Sequence, residues 1–369
     1  MLAALTEQLR RGQSLSSAHA AAAVNELAAE AITAEDKAAF LAALAAKGET
    51  TEEIATFARE LRGLSIQPPL DAATRAGEIL DVCGTGGDQL GTFNISTTVA
   101  ILCAAAGVTV AKHGNRAVTS QSGSADVLEA LGIRIDLQPA EAARALAEHG
   151  FVFFFAPNYH PAFKHIAPAR KLCAARGQRT IFNFLGPLLN PAMPSAQLLG
   201  VPRPELCEPM ARVLQTLGVR RAMVVCGEVS GFEFRVSSSE VQTDAATRNS
   251  KLETRNFLDE ISTLGENTIA EFYQERGFAV STLDPAQFPL QPATLADLRG
   301  GDKFENAEII RRILRGDERG PKRDAVLLNA AAALFLASRA KSLVEGWELA
   351  AGTIDGGAAA RKLAELAAA

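Results

Sequence analysis

The sequence predicts an α/β protein: a small N-terminal helical domain, residues 1–67, followed by a large α/β domain with a mainly parallel central sheet, residues 68–369. Apolar residues recur at helical spacing through residues 1–63 (Val24, Leu27, Ala28 and Ala31; Phe40, Leu41 and Leu44), as one face of an amphipathic helix requires. Beyond Pro68 and Pro69 the pattern changes to short β-rich runs alternating with helical stretches, the signature of βαβ units around a parallel sheet.

Taken in order, Thr33 with Asp36 and Thr50 with Glu53 mark helix starts, the second as a capping box. The stretch from Gly63 to Leu70 contains the two prolines, cannot continue a helix, and reads as a linker. Strands are expected at Ile79–Cys83, Val108–Ala111, Ile133–Leu137, Phe151–Phe155, Thr180–Phe182, Gln197–Val201 and Ala222–Cys226. Helices fall between them, for example Asn94–Ala106 closed by Gly107 and Ala125–Leu131 closed by Gly132, glycine being the residue that turns left-handed past a helix end at least cost. Residues 228–256 are polar, serine-rich and weakly periodic, and read as an irregular excursion. The alanine-rich segment Asp324–Ala340 returns the chain to helix. Some middle helices are expected to pack with the helical domain.

With 37 Lys and Arg against 42 Asp and Glu the net charge is -5, which offers no global attraction to nucleic acid. Five scattered cysteines, an odd number without paired spacing, are not a disulfide framework and read as reduced core thiols. No basic segment leads into an apolar stretch with a cleavage site, and no apolar run reaches bilayer-spanning length. The expectation is a soluble cytoplasmic protein without a membrane partner.

Three clusters carry chemistry. The first, Asp81-Val82-Cys83-Gly84-Thr85-Gly86-Gly87-Asp88, runs a strand into a glycine-rich turn ahead of a helix that begins near Asn94. Small residues let backbone amides approach an anion, and a helix N-terminus adds partial positive charge, so the loop reads as a phosphate or pyrophosphate cradle. It lacks the Lys-Ser/Thr ending of a Walker loop and is not a dinucleotide fingerprint. A tight turn alone would explain one or two glycines, but not three together with Asp88, Thr92, Asn94, Ser96 and Thr97. Hydroxyls at a helix start commonly cap amides; beside Asp88 they also suit a Mg²⁺-pyrophosphate, because Mg²⁺ prefers hard oxygen ligands.

The second cluster, Lys112 to Ser124, is a polar loop at the carboxyl end of an apolar strand, the edge where parallel sheets bind ligands. The third holds His160, His165 and Arg170. The histidines are five apart with no completing Cys or carboxylate, which argues against zinc. Arg170 suits a carboxylate clamp, and ten residues of helix would put it on one face with His160. No nucleophile elbow is present.

Together these clusters resemble the anthranilate phosphoribosyltransferase family. The resemblance runs from about residue 5 to the C-terminus and includes Gly84-Thr85-Gly86-Gly87-Asp88, Thr92-Phe93-Asn94-Ile95-Ser96-Thr97, Lys112-His113-Gly114-Asn115-Arg116, Arg179-Thr180-Ile181-Phe182-Asn183, Gly186-Pro187-Leu188 and Asn190-Pro191. Gly300-Gly301-Asp302, Asn306-Ala307 and Asn329-Ala330-Ala331 extend it. It implies a nucleoside phosphorylase/phosphoribosyltransferase-like fold, a homodimer built on the helical domain's surface, Mg²⁺, and transfer of ribose phosphate from phosphoribosyl pyrophosphate to anthranilate. Carried over by motif, Gly84, Gly87, Asp88, Thr92, Asn94, Ile95, Ser96, Thr97, Lys112, Asn115, Arg116, Thr119, Ser120 and Ser124 would hold the donor. Gly84, His113, Asn115, His160 and Arg170 would hold or line the anthranilate site, and Ser96 would touch Mg²⁺.

One departure stands out. Where the family carries a Gly-Leu-Asp-Glu metal motif after a strand, this chain reads Cys226-Gly227-Glu228-Val229-Ser230-Gly231-Phe232-Glu233-Phe234-Arg235. Glu233 is expected to take the aspartate's place, Phe234 that of the glutamate, with Glu228 a second choice. Thr119 and Gln121 stand where serine and lysine are usual. The damaged motif keeps two rivals open, a paralogue with another acceptor and a non-catalytic one that binds nucleic acid. Pyrimidine nucleoside phosphorylase, whose phosphate loop differs, ranks below both.

Overall fold

The computed structural model describes residues 1–117, 121–230, 256–274 and 277–369. Thr119, Ser120, Glu233 and Phe234, with most of the expected irregular excursion, lie outside them.

Helices Leu2–Arg10, Ser17–Ala28, Ala34–Lys47 and Thr51–Gly63 form the N-terminal unit. The expected starts are present: the Thr33 hydroxyl accepts from the Asp36 N–H, and Thr50 and Glu53 complete a reciprocal capping box, satisfying amides that otherwise lack partners. The unit's inner face, including Phe40 stacked on Phe57, is not closed on itself. It shares one apolar core with the middle helices Phe163–Ala175 and Cys207–Thr216 and with Leu199 and Val224 of the sheet. Polar ties cross the same boundary: the buried Lys37 ammonium donates to Ala29 O (2.7 Å) and His165 O (2.9 Å).

The strands are β1 (Ile79–Gly84), β2 (Thr109–Gly114), β3 (Phe151–Phe155), β4 (Ala196–Gly200), β5 (Arg221–Val229), β6 (Asn256–Leu258), β7 (Asn267–Tyr273) and β8 (Gly277–Leu283). Among the described residues their order is β3-β2-β1-β4-β5-β7-β8, with β6 also paired to β5. The first five are parallel; β6, β7 and β8 run antiparallel. Residues 79–83 and all of β4 are buried, as expected of a parallel sheet covered on both faces.

Two expected strands are corrected. Residues 133–137 have the alternating burial of a strand (Ile133 and Ile135 in, Arg134 and Asp136 out) but among the described residues join no ladder, so the local pattern is that of a strand without being sheet. Thr180–Phe182 is a turn into the short helix Phe182–Leu185, its Thr180 N–H accepted by the Asn183 side chain. The three antiparallel strands were not expected, and the long C-terminal helix is Pro321–Leu336, starting and ending earlier than predicted.

Chain order reverses at β1, whose neighbours are β2 and β4. Connections therefore leave in opposite directions and open a crevice at the carboxyl ends of β1 and β4.

Candidate active site

The glycine loop leaves β1 into that crevice. Gly86 and Gly87 have φ of +70° and +112°, a region that side-chain-bearing residues rarely enter. The Thr85 N–H donates to Gly200 O at the end of β4 (2.9 Å), pinning the loop to the neighbouring strand. Helix Ile95–Ala105 begins just beyond, its N-terminus directed at the same crevice; Ile95 and Thr97 are buried, and Asn94 occupies the N-cap position.

Two carboxylates meet these amides. Asp259 Oδ2 accepts from the Gly86 N–H (2.6 Å), and Glu260 Oε1 accepts from the Ser96 N–H (3.0 Å). Glu233 and Phe234, expected in the metal motif, lie outside the described residues; the carboxylates that reach the glycine loop and the helix start among the described residues are those of Leu258-Asp259-Glu260, beyond the excursion. Glu228, the second choice, sits within β5. The letters Leu-Asp-Glu at 258–260 carry the signal, but they stand some thirty residues past the strand end at which the motif is expected.

Asp259 threads a gap that only glycine leaves. A Cβ on Gly200 would lie 1.6 Å from Asp259 O, and one on Gly84 2.5 Å from Asp259 Oδ2. Burial, then the nearby Asp88 and Glu260, push the Asp259 carboxyl well above the usual range. Burial likewise raises Glu260 to about 7, with Lys112 acting in the opposite sense. Clustered carboxylates in a poorly hydrated crevice need a positive partner to ionise together, and a set of hard oxygens suits Mg²⁺. Among the described residues no three His, Cys, Asp or Glu side chains converge closely enough to hold an ion unaided, so ligand and water oxygens would have to complete the shell.

Lys112, buried on β2, donates to Val82 O (2.6 Å) and lies 3.5 Å from Ser96 Oγ. Its ammonium thus sits between β1 and the start of the helix that receives Glu260. Asn94 Nδ2 donates to Ser122 O, and Asn94 Oδ1 accepts from Asn306 Nδ2 (3.0 Å). Asn306 also accepts from the Gly301 N–H, while Thr92 forms a bridge with Arg299. The distal Gly300-Gly301-Asp302 and Asn306 motifs are therefore the far wall of the first cluster. Gly87 and Asn115 are exposed and Asp88 half-buried; Ser124 Oγ donates to Asn115 O (3.3 Å). Arg116 turns outward, paired with Asp126 and Glu129.

The acceptor-side residues also assemble, though not as a single helix. His160 follows the short helix Ala156–Tyr159, and the helix bearing Arg170 begins only at Phe163. Contacts restore the link. His113 and His160 meet Nε2 to Nε2 at 3.0 Å; His160 packs on Phe163, Phe163 on Phe182, and the Arg170 guanidinium lies 5.2 Å over the Phe182 ring. A wall of rings thus runs from the end of β2 to a cation. Burial holds the His113 imidazole down at about 3 and His160 at about 4, so both are neutral near pH 7. Beneath them, Asn190 Nδ2 donates to Asp81 Oδ2 and Ala111 O, cross-linking β1 and β2.

Comparison with known proteins agrees along the whole chain. Residues 3–65 match the glycosyl transferase family helical bundle domain, and residues 76–257 and 247–360 the glycosyl transferase family a/b domain. The chain is similar to anthranilate phosphoribosyltransferase of Methanosphaerula palustris, 45% identical over 96% of this chain and 94% of that protein. It is 46% identical to that of Symbiobacterium thermophilum, over 98% and 95%. Among solved structures, anthranilate phosphoribosyltransferase from Thermus thermophilus superposes with a TM-score of 0.82 at 38% identity, covering 99% of this chain and 98% of that one. The Saccharomyces cerevisiae enzyme in complex with PRPP and Mg gives 0.82 at 27% identity, over 99% and 96%.

Proposed function

The chain belongs to the anthranilate phosphoribosyltransferase family, and from that premise we propose how its residues transfer the phosphoribosyl group of phosphoribosyl pyrophosphate to the amine of anthranilate, a step of tryptophan biosynthesis. The observation that carries the account is the meeting of Asp259 and Glu260 with the Gly86 and Ser96 amides beside Lys112.

The donor's pyrophosphate lies against the Gly84–Asp88 loop and the helix start at Asn94–Thr97, some of whose amides already serve Gly200 O, Asp259 and Glu260, with Thr92, Lys112, Thr119, Ser120 and Ser124 as further donors to it. Asp259, Glu260 and Ser96 hold Mg²⁺, with Asp88 alongside; when bound, Mg²⁺ supplies positive charge against the pyrophosphate as it departs. Arg116, already committed to two carboxylates, closes the loop from outside rather than touching phosphate. Anthranilate lies along the ring wall with its carboxylate at Arg170 and Asn115, and Gly84 separates the two substrates.

As the amine nitrogen bonds to ribose C1, the bond from C1 to the pyrophosphate oxygen breaks, and the proton that the substituted nitrogen sheds goes to the departing pyrophosphate or to water. An arylamine is neutral at physiological pH and needs no strong base to attack, which fits the neutral His113 and His160 as wall rather than base. The rate then comes from positioning two reactants and stabilising the charge of the leaving group. A cytoplasmic homodimer formed through residues 1–67, with residues 68–369 carrying the chemistry, belongs to the same reading. The dimer and the division are supported by the family relationship, and the compartment by free, buried cysteines; among the described residues, no helix is long and apolar enough to cross a membrane.

The non-catalytic, nucleic-acid-binding alternative rested on a damaged metal motif, and Asp259 and Glu260 remove that motive. The test is loss of anthranilate fluorescence with purified protein, phosphoribosyl pyrophosphate and a Mg²⁺ titration. Mg²⁺-dependent turnover is expected, with Arg170→Ala raising KM for anthranilate far more than for the donor. Equal effects on both substrates would remove Arg170 from the acceptor site.

A further inference from the structure

Asn329 belongs to a distal motif that the site has not yet absorbed. It lies fully buried on helix Pro321–Leu336, remote in sequence from every loop of the crevice. Its Oδ1 accepts from the Ile261 N–H (2.9 Å), and its Nδ2 donates to Ile261 O (2.8 Å) and to Ala325 O (2.9 Å). One side chain thus satisfies both backbone groups of the residue that follows Glu260, as a neighbouring strand would.

The next residue is gripped in the same manner: the buried Asn267 accepts from the Ser262 N–H (2.6 Å) and donates to Ser262 O (3.0 Å). On the approach side, β6 pairs with β5 as far as Leu258 opposite Gly227. Asp259 and Glu260 are therefore a two-residue span between anchors, without a ladder of their own, passing over Gly84 and Gly200 with no spare room. The helix that carries Asn329 is itself held by its neighbour Leu343–Asp355: a Cβ on Gly346 would lie 2.6 Å from Ala331 O, so the two helices pack backbone to backbone there.

Resting on the site reading above, we propose that Asn329 is a positioning residue for the Asp259–Glu260 pair: its amide, by taking the place of a strand at Ile261, sets where the two carboxylates stand and thereby the affinity for the divalent cation. It touches neither substrate nor ion. Removing it leaves the Ile261 N–H and C=O buried without partners, and the span relaxes at its downstream end while the glycine loop, Lys112 and the acceptor wall stay in place.

The test compares Asn329→Ala and Asn329→Ser, the latter keeping one hydroxyl in case the alanine variant folds poorly, with Leu334→Ala. Leu334 is a fully buried residue of the same helix, and its truncation lowers stability while leaving the hydrogen bonds of Asn329 to Ile261 intact. Mn²⁺ uptake in the presence of phosphoribosyl pyrophosphate is followed by electron paramagnetic resonance, and the Mg²⁺ concentration for half-maximal rate by steady-state assay. Weaker Mn²⁺ binding by about tenfold or more is expected for both Asn329 variants, the scale usual for outer partners of metal ligands, with KM for anthranilate unchanged and with Leu334→Ala binding as wild type. Asn329 variants that lose thermal stability to the same degree as Leu334→Ala yet bind Mn²⁺ like wild type would reduce Asn329 to a packing residue and overturn the inference. Wild-type protein that takes up no Mn²⁺ with the donor would overturn the site reading beneath it, a distinguishable result.

Discussion

Gly200→Ala is the sharpest perturbation available in the crevice. The added Cβ would stand 1.6 Å from Asp259 O and 2.3 Å from its carbonyl carbon, both backbone atoms with no rotamer to escape into. Reaching an ordinary 3.4 Å contact requires that carbonyl to retreat by about 1.8 Å, and the neighbouring Glu260 N, 3.1 Å from the same Cβ, moves with it. Overpacking of this kind costs roughly 1–3 kcal/mol of stability. The catalytic loss is larger, because a misplacement of about 1 Å at reacting or charge-bearing groups lowers rates about a hundredfold. The assay is kcat and half-saturating Mg²⁺ from anthranilate fluorescence, paired with a thermal midpoint. We expect kcat down by at least about a hundredfold and a raised Mg²⁺ requirement in a protein that still folds. Gly352→Ala provides the contrast: it sits inside helix Leu343–Asp355 with nothing within 4 Å of the new Cβ, and should stabilise by about 0.5–1 kcal/mol without altering turnover. A Gly200→Ala enzyme with wild-type kcat and Mg²⁺ response would refute the reasoning that the missing side chain positions the carboxylates.

Lys112→Met keeps the stem's volume and removes the ammonium held at Val82 O and near Ser96. Loss of about 3 kcal/mol of transition-state stabilisation is expected, read as a drop in kcat/KM for the donor with KM for anthranilate little changed. Arg116→Ala breaks two exposed ion pairs and should cost less than about 1 kcal/mol of stability, checked by denaturant unfolding; a larger loss would mean the loop depends on it. Protonation of the buried histidines sets a pH dependence. Their folded values, about 3 for His113 and about 4 for His160, lie below the ordinary 6.5, so the unfolded chain takes up the protons first as pH falls. Their contribution is complete above pH 6.5 and is lost downward toward those folded values, with a slope of up to about 1.4 kcal/mol per pH unit for each. The buried carboxyls of Asp81, at about 6, and Glu260, at about 7, act in the opposite sense over the same window, so the histidine part is read as the difference between wild type and His160→Phe: from pH 7.5 through 6.5 to 5.5 the variant's unfolding midpoint should drop less than that of wild type, and parallel profiles would exclude the pair as the cause.

Much of this protein is legible in its letters because the physics behind those letters is local. Helix starts at Thr33 and Thr50 follow from a side chain and an amide three residues apart. The glycine loop follows from backbone that must turn to positive φ at Gly86 and Gly87, and the parallel core from apolar runs such as Phe151–Phe155. The same locality explains the errors. Residues 133–137 carry a strand's alternation, yet a strand exists only as part of a ladder, and among the described residues they join none. The motif's usual place is directly after β5, which points to Glu233 and Phe234, although nothing obliges a chain to deliver two carboxylates to a crevice by the shortest route. Their place is decided by contacts distant in sequence: the pairing of β6 with β5, the absent Cβ of Gly200 and the amide of Asn329. Likewise Arg116 reads as a cation for phosphate until Asp126 and Glu129 are seen beside it, and His160 and Arg170 are joined by rings rather than by one helix. The sequence by itself determined which residue types gather around a phosphate-binding turn and an aromatic acid. Only the tertiary structure decided which carboxylates face that turn, because steric fit and long-range hydrogen bonds select among acidic residues that local pattern leaves equivalent.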